Sequence, residues 1–141
     1  MQTFQAATVT RATPGSFLAM ELELQIVSKA DVAIVRCHGR LIYGEEAKQL
    51  TRTLSQLLES TKQIVLQLAE VTQIDSGGVG VLGEMFMAAH NKEAEIKLAA
   101  LSPRVAEVLR ITGLGQLFDK HNSETEAIEA FLKPSRAEVA R

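Results

Sequence analysis

Cysteine is almost missing: Cys37 stands alone in 141 residues, so no internal disulfide can form and the chain carries no mark of an oxidising compartment. Nor does one sign of charge dominate. Fifteen Lys and Arg against 17 Asp and Glu give a formal net charge of -2, mixed along the chain, without the basic face that nucleic-acid binders display. No apolar run approaches the length of a membrane span, and the first residues lack the basic segment and apolar core of a signal peptide. Together these absences predict a soluble, cytoplasmic protein that contacts a protein surface or a small ligand, with no nucleic acid and no membrane span involved. Catalytic signatures are scarce as well. His38, His90 and His121 have no metal-ligand spacing among themselves or with Cys37, and read as ordinary surface or strand-end histidines. Cys37 lies in an apolar strand-like run and reads as a small buried residue, not a nucleophile. Internal repeats and low-complexity tracts are also missing.

What is present is a hydrophobic fraction of 46% in a length suited to one domain with one core. Its organising stretch is Gln63 to Gly80. Ile64, Val65, Leu66 and Leu68 are too continuously apolar for a strand with one wet face, which predicts a central strand covered on both sides. After a connector, Asp75 and Ser76 stand at the exit, and Gly77, Gly78 and Gly80 allow a tight turn and the close approach of another surface. Ser76 is placed to cap a helix carrying Val79, Val81, Leu82, Met85, Phe86 and Ala89, with Met85 and Phe86 read as core.

The rest of the chain frames that stretch. Residues 1–19 show no sustained period and read as a flexible arm; residues 20–133 form the domain; residues 134–141 read as a loose tail. Leu22 to Val27 and Val32 to Cys37 predict an antiparallel hairpin, with Gly39 ending its second strand. Glu45 to Ser60 places Ala47, Leu50, Leu54, Leu57 and Leu58 at helical spacing, with Glu45 and Glu46 as first-turn dipole partners. Further on come a strand at Glu95 to Ala99, a helix capped by Ser102 before Pro103 and stopped at Gly113, and a brief strand at Leu117-Phe118. A capping box at Ser123 to Glu126 opens a last helix that buries Ala127, Ile128 and Phe131 and ends at Pro134. Strands alternating with helices imply right-handed crossovers. The expected fold is α/β: a mixed, mainly parallel sheet of four to five strands, with the N-terminal antiparallel hairpin and about four helices.

The run from the IVLQL strand through Asp75-Ser76-Gly77-Gly78-Val79-Gly80 resembles the signature of the STAS domain family, and within it the bacterial anti-sigma factor antagonists. The resemblance extends from about Leu22 to Phe131. It implies a non-enzymatic regulatory module without a cofactor of its own, phosphorylated on Ser76, the Ser directly after the Asp. By the same resemblance the unphosphorylated form binds an anti-sigma factor that is also a serine kinase, phosphorylation releases it, and a serine phosphatase restores it. Asp75, Ser76, Gly77, Gly78, Ile42 and Tyr43 would form the contact surface. Two positions depart from the family pattern. Gly77 stands where a second small hydroxyl or Ala is commoner, leaving Ser76 as the single acceptor, and Ile42 stands where an acidic residue is often found.

The residues argue the same switch on chemical grounds. A phosphoserine carries about -1.5 to -2 charges at neutral pH, can be accommodated at a helix N-terminus, and beside Asp75 raises the local negative potential. Binding should therefore change more than fold. Other chemistries lack their parts: Gly80-Val81-Leu82 supplies no P-loop lysine, and Ser76 lies in no G-x-S-x-G elbow. Three alternatives stay open beside the switch, namely a Ser76 that merely caps its helix, a scaffold module in a signalling or transport assembly, and a small-ligand binder or enzyme using the cleft at the strand ends. Homodimerisation stays open too.

Overall fold

The computed structural model describes residues 7–10 and 21–133. Six strands form one sheet in sequence order: β1 (Ala7–Thr10), β2 (Leu22–Lys29), β3 (Val32–Leu41), β4 (Gln63–Ile74), β5 (Glu95–Ala99) and β6 (Lys120–His121). Pairing is antiparallel from β1 to β3 and parallel from β3 to β6. Five strands, β2 to β6, make the body that the sequence implies. β1 adds to the outer edge of β2 from within the stretch read as an arm; the remainder of that arm, Pro134 and the tail lie outside the described residues.

Four helices complete the fold: α1 (Glu45–Leu57), α2 (Ser76–Asn91), α3 (Pro103–Thr112) and α4 (Glu124–Leu132). α1, α2 and α3 pack Leu50, Leu54, Leu82, Met85, Val105 and Leu109 onto one sheet face, against Leu24, Val35, Leu66 and Leu98. α4 covers part of the other face with Ala127 and Ile128 on Ile34 and Val65. Consecutive parallel strands joined by right-handed crossovers in one direction put their helices on one side, which leaves α4 to return over the back. β4 is thus covered on both sides where it reads IVLQL: Ile64, Val65, Leu66 and Leu68 are all buried, each contributing about 1.5–3 kcal/mol of apolar transfer.

Beyond Leu68 the strand does not become a connector. β4 continues to Ile74 through two bulges, between Arg36/His38 and Gly39/Arg40 on β3, where β4 spends one residue more than its partner. Buried positions accordingly step by three, through Leu68, Val71 and Ile74. Gly39 likewise does not end β3, which runs two residues further; with φ +119, it lets the backbone pass a carbonyl of Glu21 that any side chain would overlap. The last strand is Lys120–His121, not Leu117-Phe118. Those two residues follow a 3-10 turn at Leu114–Gln116, and Phe118 is buried edge-on against Phe86, ring centroids 5.3 Å apart. α1 stops at Leu57, short of Ser60. The hairpin turns through Ala30 and Asp31, both at positive φ, as a two-residue primed turn requires.

Candidate functional site

The carboxyl-terminal ends of β3 and β4 place two chain segments side by side: the loop Ile42–Gly44 leading into α1, and the turn at Asp75 opening α2. Asp75 ties them together. It is the N-cap of α2, where its Oδ1 accepts from the Gly78 N–H at 3.1 Å. The same carboxylate accepts from the Tyr43 N–H at 3.0 and 3.1 Å, and the Asp75 N–H reaches the Leu41 carbonyl at 3.4 Å. Desolvation opposes ionisation of Asp75, but N–H donation from Tyr43, Gly78, Gly77 and its own backbone outweighs it, so its pKa lies below the ordinary aspartate value.

Ser76 is therefore not the cap. Asp and Ser serve equally well at an N-cap, and the tether to Tyr43 gives the carboxylate the position. Ser76 becomes the first residue of α2; it is exposed, and among the described residues its hydroxyl makes no hydrogen bond. The glycines that follow are needed by the chain's own loop. At Gly77 a Cβ would stand 2.6 Å from Tyr43 Cα and 2.9 Å from Tyr43 N; at Gly78 it would overlap the Leu41 carbonyl oxygen and lie 2.9 Å from Ile74 Cγ1.

Of the residues singled out from sequence, Asp75, Ser76, Gly77, Gly78 and Tyr43 come together at one end of the sheet. Ile42 joins them half-buried, its carbonyl accepting from the Ala47 N–H at 3.1 Å. Tyr43 is 81% exposed. Glu45 and Glu46 occupy the first turn of α1 as expected, and Glu46 also accepts from the Glu21 N–H at 3.0 Å. Cys37 is fully buried, and burial pushes its thiol up to about 12, far from a thiolate at neutral pH. Among the described residues no three His, Cys, Asp or Glu side chains are grouped to hold a metal, and no helix is long and apolar enough to cross a membrane. Sequence reasoning passed over the cleft between α1 and α2, where Lys48, Arg52, Glu84 and Met87 meet the Ser76 turn. Its signal was Gly77, Gly80 and Gly83 at helical spacing.

A mixed sheet with an antiparallel N-terminal edge, and a helix opening on a tethered Asp-Ser-Gly-Gly turn, are the features that the sequence resemblance implies. The chain belongs to the STAS domain family, whose profile matches residues 23–127. Over 106 residues, 74% of this chain and 91% of the relative, it is 28% identical to a Bordetella bronchiseptica protein designated anti-sigma factor antagonist BtrV. Over 61 residues, 43% of this chain and 54% of the relative, it is 34% identical to the anti-sigma-B factor antagonist of Listeria monocytogenes. Its fold matches the Bacillus anti-sigma factor antagonist SpoIIAA in the unphosphorylated form, with TM-score 0.66 and 23% identity over 80% of this chain and 99% of that one.

Proposed function

We propose that the chain is an anti-sigma factor antagonist switched at Ser76. In this reading the unphosphorylated domain sequesters an anti-sigma factor that is also a serine kinase, through the surface formed by Asp75, Ser76, Gly77, Gly78, Ile42 and Tyr43. The kinase, using its own ATP and magnesium, transfers the γ-phosphoryl group to Ser76 Oγ. An Oγ–P bond forms, the bond to ADP breaks, and the hydroxyl proton leaves to a base on the kinase. A phosphatase reverses the modification by hydrolysis.

The observation that supports this reading most is the exposed, unbonded hydroxyl of Ser76 next to a carboxylate held ionised. A phosphate there finds the Gly78 N–H already taken by Asp75. Its added charge of about -1.5 to -2 therefore adds to that of the Asp75 carboxylate, which opposes a complementary partner without disturbing the core.

The test is affinity capture from native extract with wild-type, Ser76→Ala and Ser76→Glu chains, and mass spectrometry for bound proteins and for phosphate on Ser76. A serine kinase recovered by the first two and lost from the third supports the switch. Identical partners on all three, with Ser76 unmodified, refute it.

A further inference from the structure

The sheet ends on β1, and the alternation of hydrogen bonds along β2 fixes which backbone groups of β1 are left unpaired. Lys29 and Val32 flank the two-residue turn of the β2–β3 hairpin and are a hydrogen-bonded pair, so Val27, Gln25 and Glu23 also bond to β3. The Arg40 N–H, donating to the Glu21 carbonyl at 2.7 Å, continues that alternate set. Ile26 and Leu24 must then bond outward, to Ala7 and Val9. The N–H and C=O groups of Thr8 and Thr10 therefore point away from β2, and among the described residues no strand pairs with them. Sheet edges are ordinarily guarded by charge, proline, a bulge or extreme shortness. The opposite edge is guarded in this way: β6 is 2 residues long and one of them is Lys120. β1 is 4 residues long, pairs in unbroken register, and precedes the first charged side chain of the sequence, Arg11.

We propose that β1 is the interface of a homodimer, pairing antiparallel with β1 of a second copy across a two-fold axis at Val9, so that the two sheets join into one. Self-complementarity is the argument for a copy over an unrelated strand. Two-fold pairing sets outward-bonding residues against outward-bonding residues, and both of these are threonine. With the axis at Val9, Thr8 stands opposite the partner's Thr10 and Thr10 opposite the partner's Thr8, each pair exchanging both its N–H···O=C bonds. An axis at Thr8 would keep one such pair within the strands. Thr opposite Thr is a favourable cross-strand pair, and no like charges oppose one another along the seam. Two-fold symmetry closes the contact at two copies, so the edge is consumed and not extended into a fibre. The pairing uses no residue of the Asp75–Ser76 turn, and it stands or falls apart from the switch.

A pair of short strands makes a weak contact, so the full chain is followed by sedimentation equilibrium from about 10 μM to about 1 mM. Wild type is expected to pass from monomer to dimer across that range. Thr8→Pro removes an N–H that bonds to nothing in the monomer; it is expected to weaken association by about tenfold or more while melting with wild type at the lowest concentration. Val9→Pro removes an N–H bonded to Leu24 and is expected to stay monomeric and also to melt lower. Amide exchange followed by NMR reads the same edge in wild type alone. The Thr8 and Thr10 amides should slow severalfold as concentration rises, whereas Val9 exchanges more slowly than either in the dilute monomer. A wild type still monomeric at the highest concentration overturns the proposal. So does a dimer whose affinity Thr8→Pro leaves unchanged, or one in which Thr8 and Thr10 exchange at a constant rate. If Thr8→Pro melts lower than wild type, the amide exchange of wild type decides alone.

Discussion

One substitution, glycine to alanine, should act with opposite sign at three positions of the same helix. At Gly80 nothing opposes the added methyl group, so the gain is the helix preference of alanine alone, about 0.5–1 kcal/mol. For a chain of this size that raises the melting temperature by about 2–4 °C. At Gly78 the same gain meets a closed space. The methyl group would overlap the Leu41 carbonyl oxygen and press on Ile74 Cγ1 and Leu41 Cγ at 2.9 Å, and Leu41 and Ile74 are both buried with no room to withdraw. Overpacking of that kind costs about 1–3 kcal/mol, which exceeds the propensity gain. At Gly77 the obstacle is the backbone of Tyr43. Its loop can lift, but only by stretching the Tyr43 N–H bonds to Asp75, worth about 1.5–3 kcal/mol in a buried setting and less at this exposed one. Urea and thermal denaturation at pH 7, followed by circular dichroism, should place Gly80→Ala above wild type and both Gly77→Ala and Gly78→Ala below it, by up to about 8 °C. A Gly78→Ala variant as stable as Gly80→Ala would refute the account of the turn as a wedge between two segments of one chain.

Substitutions at Ser76 should leave the fold alone: Ser76→Ala and Ser76→Glu are expected to unfold within about 0.5 kcal/mol of wild type in urea, because the side chain is exposed and unbonded. Asp75 carries a pH signature. Its folded pKa lies below the unfolded value of about 3.9, so its stabilising effect is present above that pH and disappears as pH falls through the folded pKa. Wild type and Asp75→Ala should accordingly differ in melting temperature at pH 7 and approach each other toward pH 3, and a difference independent of pH would refute the charged cap. On the far side of the sheet, Glu124 accepts from Arg36 at 2.7 and 3.0 Å and from Gln67 at 2.8 Å, clamping the start of α4. Glu124→Gln should cost about 1–2 kcal/mol in urea denaturation and speed hydrogen exchange in α4 before other elements; an unchanged midpoint would show the clamp to be idle.

Where the sequence was legible, burial on both sides or a local signal made it so. Ile64 to Leu68 announced a central strand because the hydrophobic run was unbroken, and Ser102-Pro103 and Ser123-Glu126 announced helix starts through side chains that accept from Val105 and Glu126 N–H groups. The misreadings share a different cause. β4 beyond Leu68 buries every third residue, a period that belongs to neither strand nor helix, and only the pairing with β3 reveals the two bulges behind it. Leu117-Phe118 looked like a strand because it is apolar, yet Leu117 is exposed and Phe118 is buried against Phe86, more than thirty residues away. Likewise the sequence put Asp75 and Ser76 at the right turn but not in the right roles, since what separates them is the Tyr43 N–H, which arrives from another loop.

That exchange of roles bears on function. If Ser76 were the N-cap, its oxygen would be engaged by the helix, and a kinase acting on it would remove a cap worth about 1 kcal/mol each time the switch was thrown. With Asp75 holding the cap and the Ile42–Gly44 loop, the hydroxyl one residue later carries no structural duty and can be modified at little cost to the fold. The same carboxylate, kept ionised by four N–H groups, is the charge that a phosphate on Ser76 would meet in the proposed switch. In the proposed switch, structure and signal are thereby divided between two adjacent residues. Gly77 and Gly78 are bound into that division, because without their bare backbones the Tyr43 loop could not reach the cap that frees Ser76.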